Sequence, residues 1–116
     1  QALDETAEGT RLQVNIAFNY SGRTELVDAA RRLVAQGIAP DQIDEDAFAG
    51  ALYTAGLPDP DILVRTGGDQ RISNFLIWQT AYSEFYFTPT LWPDFGREPF
   101  DAALIEFASR QRRFGK

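Results

Sequence analysis

Strand and helix signals alternate along this chain, and the alternation predicts an α/β fold: a mainly parallel sheet flanked by helices. Three observations carry that expectation. Leu12-Gln-Val-Asn-Ile-Ala-Phe18 alternates at period two, the period of a strand. Ile62–Val64 and Glu84-Phe-Tyr-Phe87 are short runs bounded by turn residues, too brief for helices. Around them, apolar residues recur at helical spacing: Leu26, Ala29, Ala30, Leu33 and Val34, then Phe100, Leu104, Phe107 and Ala108.

Taken in order, Gln1 to Glu8 reads as the tail of a helix stopped at Gly9. The strand at 12–18 follows, with Leu12, Val14, Ile16 and Phe18 as core candidates. Asn19 to Gly22 is a turn, and Ser21 suits a helix N-cap because its hydroxyl can accept a free backbone N–H. That helix ends at Gly37. Asp44 is placed to cap a second helix carrying Phe48, Leu52 and Tyr53 and ending near Gly56. Pro58 and Pro60 lead into the strand at 62–64. A short helix is expected at about 75–80, a strand at 84–87, an irregular segment between Pro89 and Pro93, and a final helix from about Glu98 to Arg112.

A chain of 116 residues is one domain at most. It has no cysteine and no histidine, which removes disulfides, thiolate chemistry and the commonest zinc ligands. A metal would be held by oxygen, which favours Mg2+. The net charge of −6 argues against a nucleic-acid surface. The charge is also uneven: residues 1–60 carry ten acids and four bases, residues 61–116 seven of each. No apolar run reaches the length of a membrane span and no signal peptide is visible, so the expected location is the cytoplasm.

The richest segment is Asp61 to Phe75. It places Arg65, Arg71, two adjacent glycines and Ser73 between the strand and the following apolar pattern. Ligands of open α/β sheets bind beyond the carboxyl ends of strands, and helix N-termini there favour anions. Guanidinium forks match phosphate oxygens. The segment reads as a phosphate or diphosphate cradle. A plainer reading stands beside it: Arg65 pairs with Asp61 or Asp69, Arg71 pairs with Glu84, and Ser73 is a simple N-cap.

The run Arg65-Thr-Gly-Gly-Asp-Gln-Arg-Ile-Ser-Asn-Phe75, then Leu76-Ile-Trp-Gln-Thr-Ala-Tyr-Ser-Glu-Phe-Tyr-Phe87 and Leu91-Trp-Pro-Asp-Phe95, resembles the C-terminal signature of the cis-prenyltransferases. Phe18-Asn-Tyr-Ser-Gly-Arg-Thr-Glu25 and Arg110-Gln-Arg-Arg-Phe-Gly115 resemble two further motifs of that family. The resemblance implies condensation of isopentenyl diphosphate onto an allylic diphosphate such as farnesyl diphosphate, with Mg2+. It assigns the isopentenyl diphosphate to Arg65, Arg71 and Ser73, and a place near the metal to Glu84, across a homodimer. Arg113 and Gly115 match an element that reaches the neighbouring subunit's site. The lipid product would meet a membrane surface.

The family's Asp-Gly-Asn-Gly-Arg motif is not found in these residues. Residues 1–116 are therefore expected to form the C-terminal portion of a larger single domain, with the catalytic aspartate in an N-terminal half outside this chain. Where the family more often has Ser-Gly-Glu, this chain has Gly67-Gly-Asp69. Two alternatives remain open: a non-catalytic partner subunit and an unrelated phosphate-binding module. Asn19, Arg23 and Glu25 have turn and capping readings, with Arg23 and Glu25 pairing outward, beside a functional one for Asn19. For Glu84 the plain reading is a strand-edge carboxylate paired to an arginine, and for Arg110 to Arg113 a basic helix end. The aromatic block from Trp78 to Trp92 reads as core or as a dimer interface.

Overall fold

A computed structural model describes residues 2–110. Helices α1 (Ala2–Glu5), α2 (Gly22–Ala35) and α3 (Glu45–Ala51) precede strands β1 (Ile62–Arg65) and β2 (Glu84–Phe87), and α4 (Arg97–Ser109) follows. Short 3-10 turns lie at Pro40–Gln42 and Trp92–Asp94. The two strands pair in parallel, with Ile62 opposite Glu84 and Arg65 opposite Phe87. The α/β class and the parallel pairing hold. No helix among the described residues is long and apolar enough to cross a membrane.

Local chemistry explains the helix ends. The Ser21 hydroxyl accepts the N–H of Thr24, and the Asp44 carboxylate accepts that of Ala47 at 2.8 Å. Gly37 closes α2 with φ +71°, a left-handed conformation that glycine adopts without steric cost. The α3 helix stops at Ala51, short of the expected Gly56, because Leu52 is already extended. Ala29 and Leu33 of α2 pack on Ala51 and Leu52, with Phe48 and Trp78 closing the cluster at a ring separation of 4.7 Å.

Three further expectations fail for identifiable reasons. Residues 12–18 form no strand: period-two alternation is a pattern for pairing, and no described residue pairs with it. Leu12, Val14, Ile16 and Phe18 are consequently exposed rather than core, Phe18 to 92%. Residues 75–80 form hydrogen-bonded turns, not a helix, because Leu76 has φ +45° and interrupts right-handed propagation.

Glu25 supplies the third. It does not pair outward with Arg23; it is 1% exposed. Its Oε1 accepts the Tyr53 N–H at 2.9 Å and the Gln79 amide at 3.1 Å, and its Oε2 accepts the Tyr20 hydroxyl. Burial, and then the carboxylate itself, push the Tyr20 phenol well above its ordinary value, so Tyr20 remains the donor. This carboxylate ties α2 to the segment after α3 and to the turns after the glycine loop. Glu25→Ala leaves those donors without an acceptor and should cost about 3 kcal/mol of stability. A urea titration checks this; an unchanged midpoint would show that the network carries no weight.

Candidate functional site

The site begins where β1 ends. Pairing with β2 puts Arg65 at the carboxyl end of its strand, and its carbonyl accepts the Thr88 N–H at 3.0 Å. The chain then turns through Gly67 and Gly68, with φ of +90° and +88°. Their N–H groups bond to the carbonyls of Thr90 and Thr88 at 2.9 and 3.0 Å, fixing the loop to the segment after β2. The turn needs glycine twice, since side chains rarely adopt those angles.

Arg65, Arg71 and Ser73 converge. Arg65 Nη1 donates to Ser73 Oγ and to the Arg71 carbonyl, both at 2.6 Å. Arg65 Nη2 and Arg71 Nη2 both donate to one oxygen, Asp69 Oδ2, at 3.1 and 2.8 Å. The side chain of Arg65 is 25% exposed and that of Arg71 is 68% exposed, so one fork is set in the wall while the other faces water. The plainer reading is thus right about Asp69 and wrong about Glu84, and it coexists with a cluster of two guanidinium groups and a hydroxyl.

Ser73 is not an N-cap, because no helix starts there. It sits in a left-handed pair, Ser73 at φ +49° and Asn74 at φ +64°. Asn74 makes that conformation possible. Its Oδ1 accepts the Arg23 N–H at 2.9 Å, its backbone carbonyl accepts the Gly22 N–H at 2.9 Å, and its amide donates to Ser21 Oγ at 2.9 Å. Free N–H groups of the first turn of α2 are thereby satisfied from across the chain. Sequence reading gave Asn74 no role. Asparagine beside a polar turn residue was the available signal, since it tolerates left-handed backbone and bonds to nearby N–H groups.

Glu84 lies elsewhere. It faces Ile62 at the amino end of the sheet, about 10 Å along the strands from Arg65. Its Oε2 accepts from Arg110 Nη1 at 3.3 Å, and Arg110 also reaches the Phe85 carbonyl at 2.6 Å and the Glu106 carboxylate. No group of three His, Cys, Asp or Glu residues suited to a metal occurs among the described residues. Asn19, at φ +52°, lines a cavity of about 450 Å³ with Tyr20, Tyr53, Phe75, Leu76 and Gln79, and no hydrogen bond among the described residues joins it to the arginine cluster. Arg113 and Gly115 lie outside the described residues.

The family model described as "Putative undecaprenyl diphosphate synthase" matches residues 1–115. An isoprenyl transferase from Heliobacterium mobile is 52% identical over 99% of this chain and 46% of its own length. One from Porphyromonas gingivalis is 48% identical over the whole chain and 47% of its own length. Among solved structures, lavandulyl diphosphate synthase from Lavandula x intermedia, in complex with dimethylallyl diphosphate, superposes with a TM-score of 0.79 at 47% identity, over 84% of this chain and 44% of that one. A probable undecaprenyl diphosphate synthase from Campylobacter jejuni gives 0.80 at 35% identity, over 97% and 52%. The chain spans about half the length of the curated relatives it matches.

The contact between Gly22 and Asn74 can be tested alone. A Cβ at Gly22 would lie 2.9 Å from the Asn74 carbonyl oxygen and 2.9 Å from Ile77 Cγ1, so backbone must shift. Gly22→Ala should destabilise by about 1–3 kcal/mol. Gly50→Ala in α3, where a Cβ meets nothing within 4 Å, should stabilise slightly. Thermal melts of the two variants moving in the same direction would refute this account of the junction.

Proposed function

The chain belongs to the undecaprenyl diphosphate synthase family of isoprenyl transferases, and on that premise we propose that the protein condenses isopentenyl diphosphate onto an allylic diphosphate such as farnesyl diphosphate, giving a polyprenyl diphosphate. The observation that carries the reading is the convergence of Arg65, Arg71 and Ser73 at one strand end. These residues bind the diphosphate of isopentenyl diphosphate. Arg65, anchored by Ser73 and the Arg71 carbonyl, is a fixed donor; Arg71 closes on the ligand from the solvent side. In the reaction the allylic carbon loses its diphosphate, a carbon–carbon bond forms to isopentenyl diphosphate, and a proton leaves. Two anions must be held close together for this, and fixed donors offset their repulsion without reorganising.

Glu84 suits one ligand position for Mg2+, an ion that is bound through one or two carboxylates, substrate phosphates and water. The fit is partial, since Arg110 already pairs with Glu84. When bound, such an ion neutralises diphosphate charge. The wide separation of Glu84 from Arg65 supports a homodimer in which Glu84, Arg113 and Gly115 serve the cluster of a second copy. The partly exposed aromatic residues from Tyr82 to Phe87 form the proposed contact. Residues 1–116 act here as the C-terminal portion of a larger cytoplasmic enzyme that takes its catalytic aspartate from outside this chain and delivers its product at a membrane surface.

Arg71→Ala should raise the KM for isopentenyl diphosphate by about tenfold to a hundredfold, the loss expected for one charge-assisted contact. Arg71→Lys should also impair, because an ammonium cannot reproduce the fork. Steady-state kinetics on the intact enzyme decide it: wild-type KM values in both variants would remove Arg71 from the site.

A further inference from the structure

We propose that Asp69 is an internal occupant of the diphosphate site: its carboxylate sits between the two guanidinium groups in the ligand-free protein and must be displaced by the incoming diphosphate. This rests on the assignment of Arg65, Arg71 and Ser73 to a diphosphate. A single oxygen, Asp69 Oδ2, accepts from Nη2 of both arginines. An anionic oxygen shared by two guanidinium forks has the charge and the coordination of a phosphate oxygen held by the same groups.

The two arginines depend on Asp69 unequally. Arg65 keeps its bonds to Ser73 Oγ and the Arg71 carbonyl when Asp69 leaves. Among the described residues the Arg71 guanidinium bonds only to Asp69, and it is mostly exposed. The carboxylate therefore holds Arg71 over the cluster while the site is empty.

Displacement needs little movement of the chain. Gly67 and Gly68 remain pinned through the carbonyls of Thr90 and Thr88, and the Asp69 side chain is half exposed, so it can turn into water. A retained carboxylate would place a like charge against the diphosphate. Ion pairs this exposed are individually weak, which makes the occupant replaceable. Asp69 thus acts as a positioning residue that keeps the arginines assembled and lowers the affinity for anions too weakly charged to displace it.

The test is isothermal titration calorimetry of the intact protein with inorganic pyrophosphate in metal-free buffer, comparing wild type, Asp69→Asn and Arg71→Ala. Asp69→Asn keeps an acceptor for Arg71 and removes the competing charge, so pyrophosphate should bind about tenfold tighter than to wild type. Arg71→Ala should bind more weakly. If Arg71→Ala loses affinity while Asp69→Asn is unchanged or weaker, the displacement proposal fails and the diphosphate assignment survives. If Arg71→Ala binds as wild type does, the diphosphate assignment fails and the proposal falls with it. Should Asp69→Asn not fold, a crystal structure of the wild-type protein with pyrophosphate decides: Asp69 Oδ2 more than 4 Å from both guanidinium groups upholds displacement, and either contact retained overturns it.

Discussion

Asn74 joins the polar turn to the first turn of α2, and the rest of the site depends on that junction. An α-helix begins with N–H groups that have no partner within it. In α2 these are satisfied partly by Ser21 and partly by Asn74, which lies more than fifty positions away in sequence. The cost of the arrangement is visible in the backbone. Ser73, Asn74 and Leu76 all have positive φ without being glycine, a conformation that persists only where surrounding contacts enforce it. Here the enforcing contacts are the helix's own unsatisfied donors, together with a Gly22 that has room for no side chain. Helix capping and site geometry are one set of bonds. Ser73, adjacent to Asn74, is thereby held at the distance where Arg65 can reach it.

Several charged groups at the two ends of the sheet are paired at short range and left displaceable. At the carboxyl end of the sheet Asp69 serves two arginines; at the amino end Glu84 and Glu106 share Arg110. Exposed pairs of this kind add little to stability, on the order of 0–1 kcal/mol each. Their effect is on arrangement: each keeps long, mobile side chains converged in the absence of anything larger to bind. Glu25 is the contrasting case. Buried and bonded to three donors, it contributes to holding the fold and is poorly placed to exchange partners.

Much of this was legible in the residues, and the reasons separate cleanly. The caps at Ser21 and Asp44 and the stop at Gly37 are local, set by neighbours within four positions, and the strands at 62 and 84 were legible because short runs bounded by turn residues mark them and each finds the other as its partner. The convergence of Arg65, Arg71 and Ser73 was legible because nine consecutive residues hold all three. What failed depends on distant partners. The alternation at 12–18 announces a strand, but a strand exists only when paired. The inward turn of Glu25 depends on Tyr53 and Gln79, and no local pattern distinguishes a buried carboxylate at a helix start from an exposed one. The turns at 75–80 have helical apolar spacing, and no local pattern announces the left-handed Leu76 that breaks the helix just after the junction at Asn74.

Charge balance limits what the arginine end can do by itself. Two guanidinium groups offset by Asp69 leave a small positive excess, and even with Asp69 displaced they carry less charge than a prenyl diphosphate brings. A second diphosphate held nearby would widen the deficit. The remaining neutralisation has to come from groups that this strand end does not supply. Glu84, being anionic, can contribute only through a cation, and the parallel register fixes it at the other end of the sheet. The cluster proposed to hold a diphosphate and the carboxylate proposed as a metal ligand therefore lie about 10 Å apart along the strands, at opposite ends of the sheet. The proposed dimer would bring a second copy's Glu84 to that cluster, which ties it to charge neutralisation rather than to apolar burial alone.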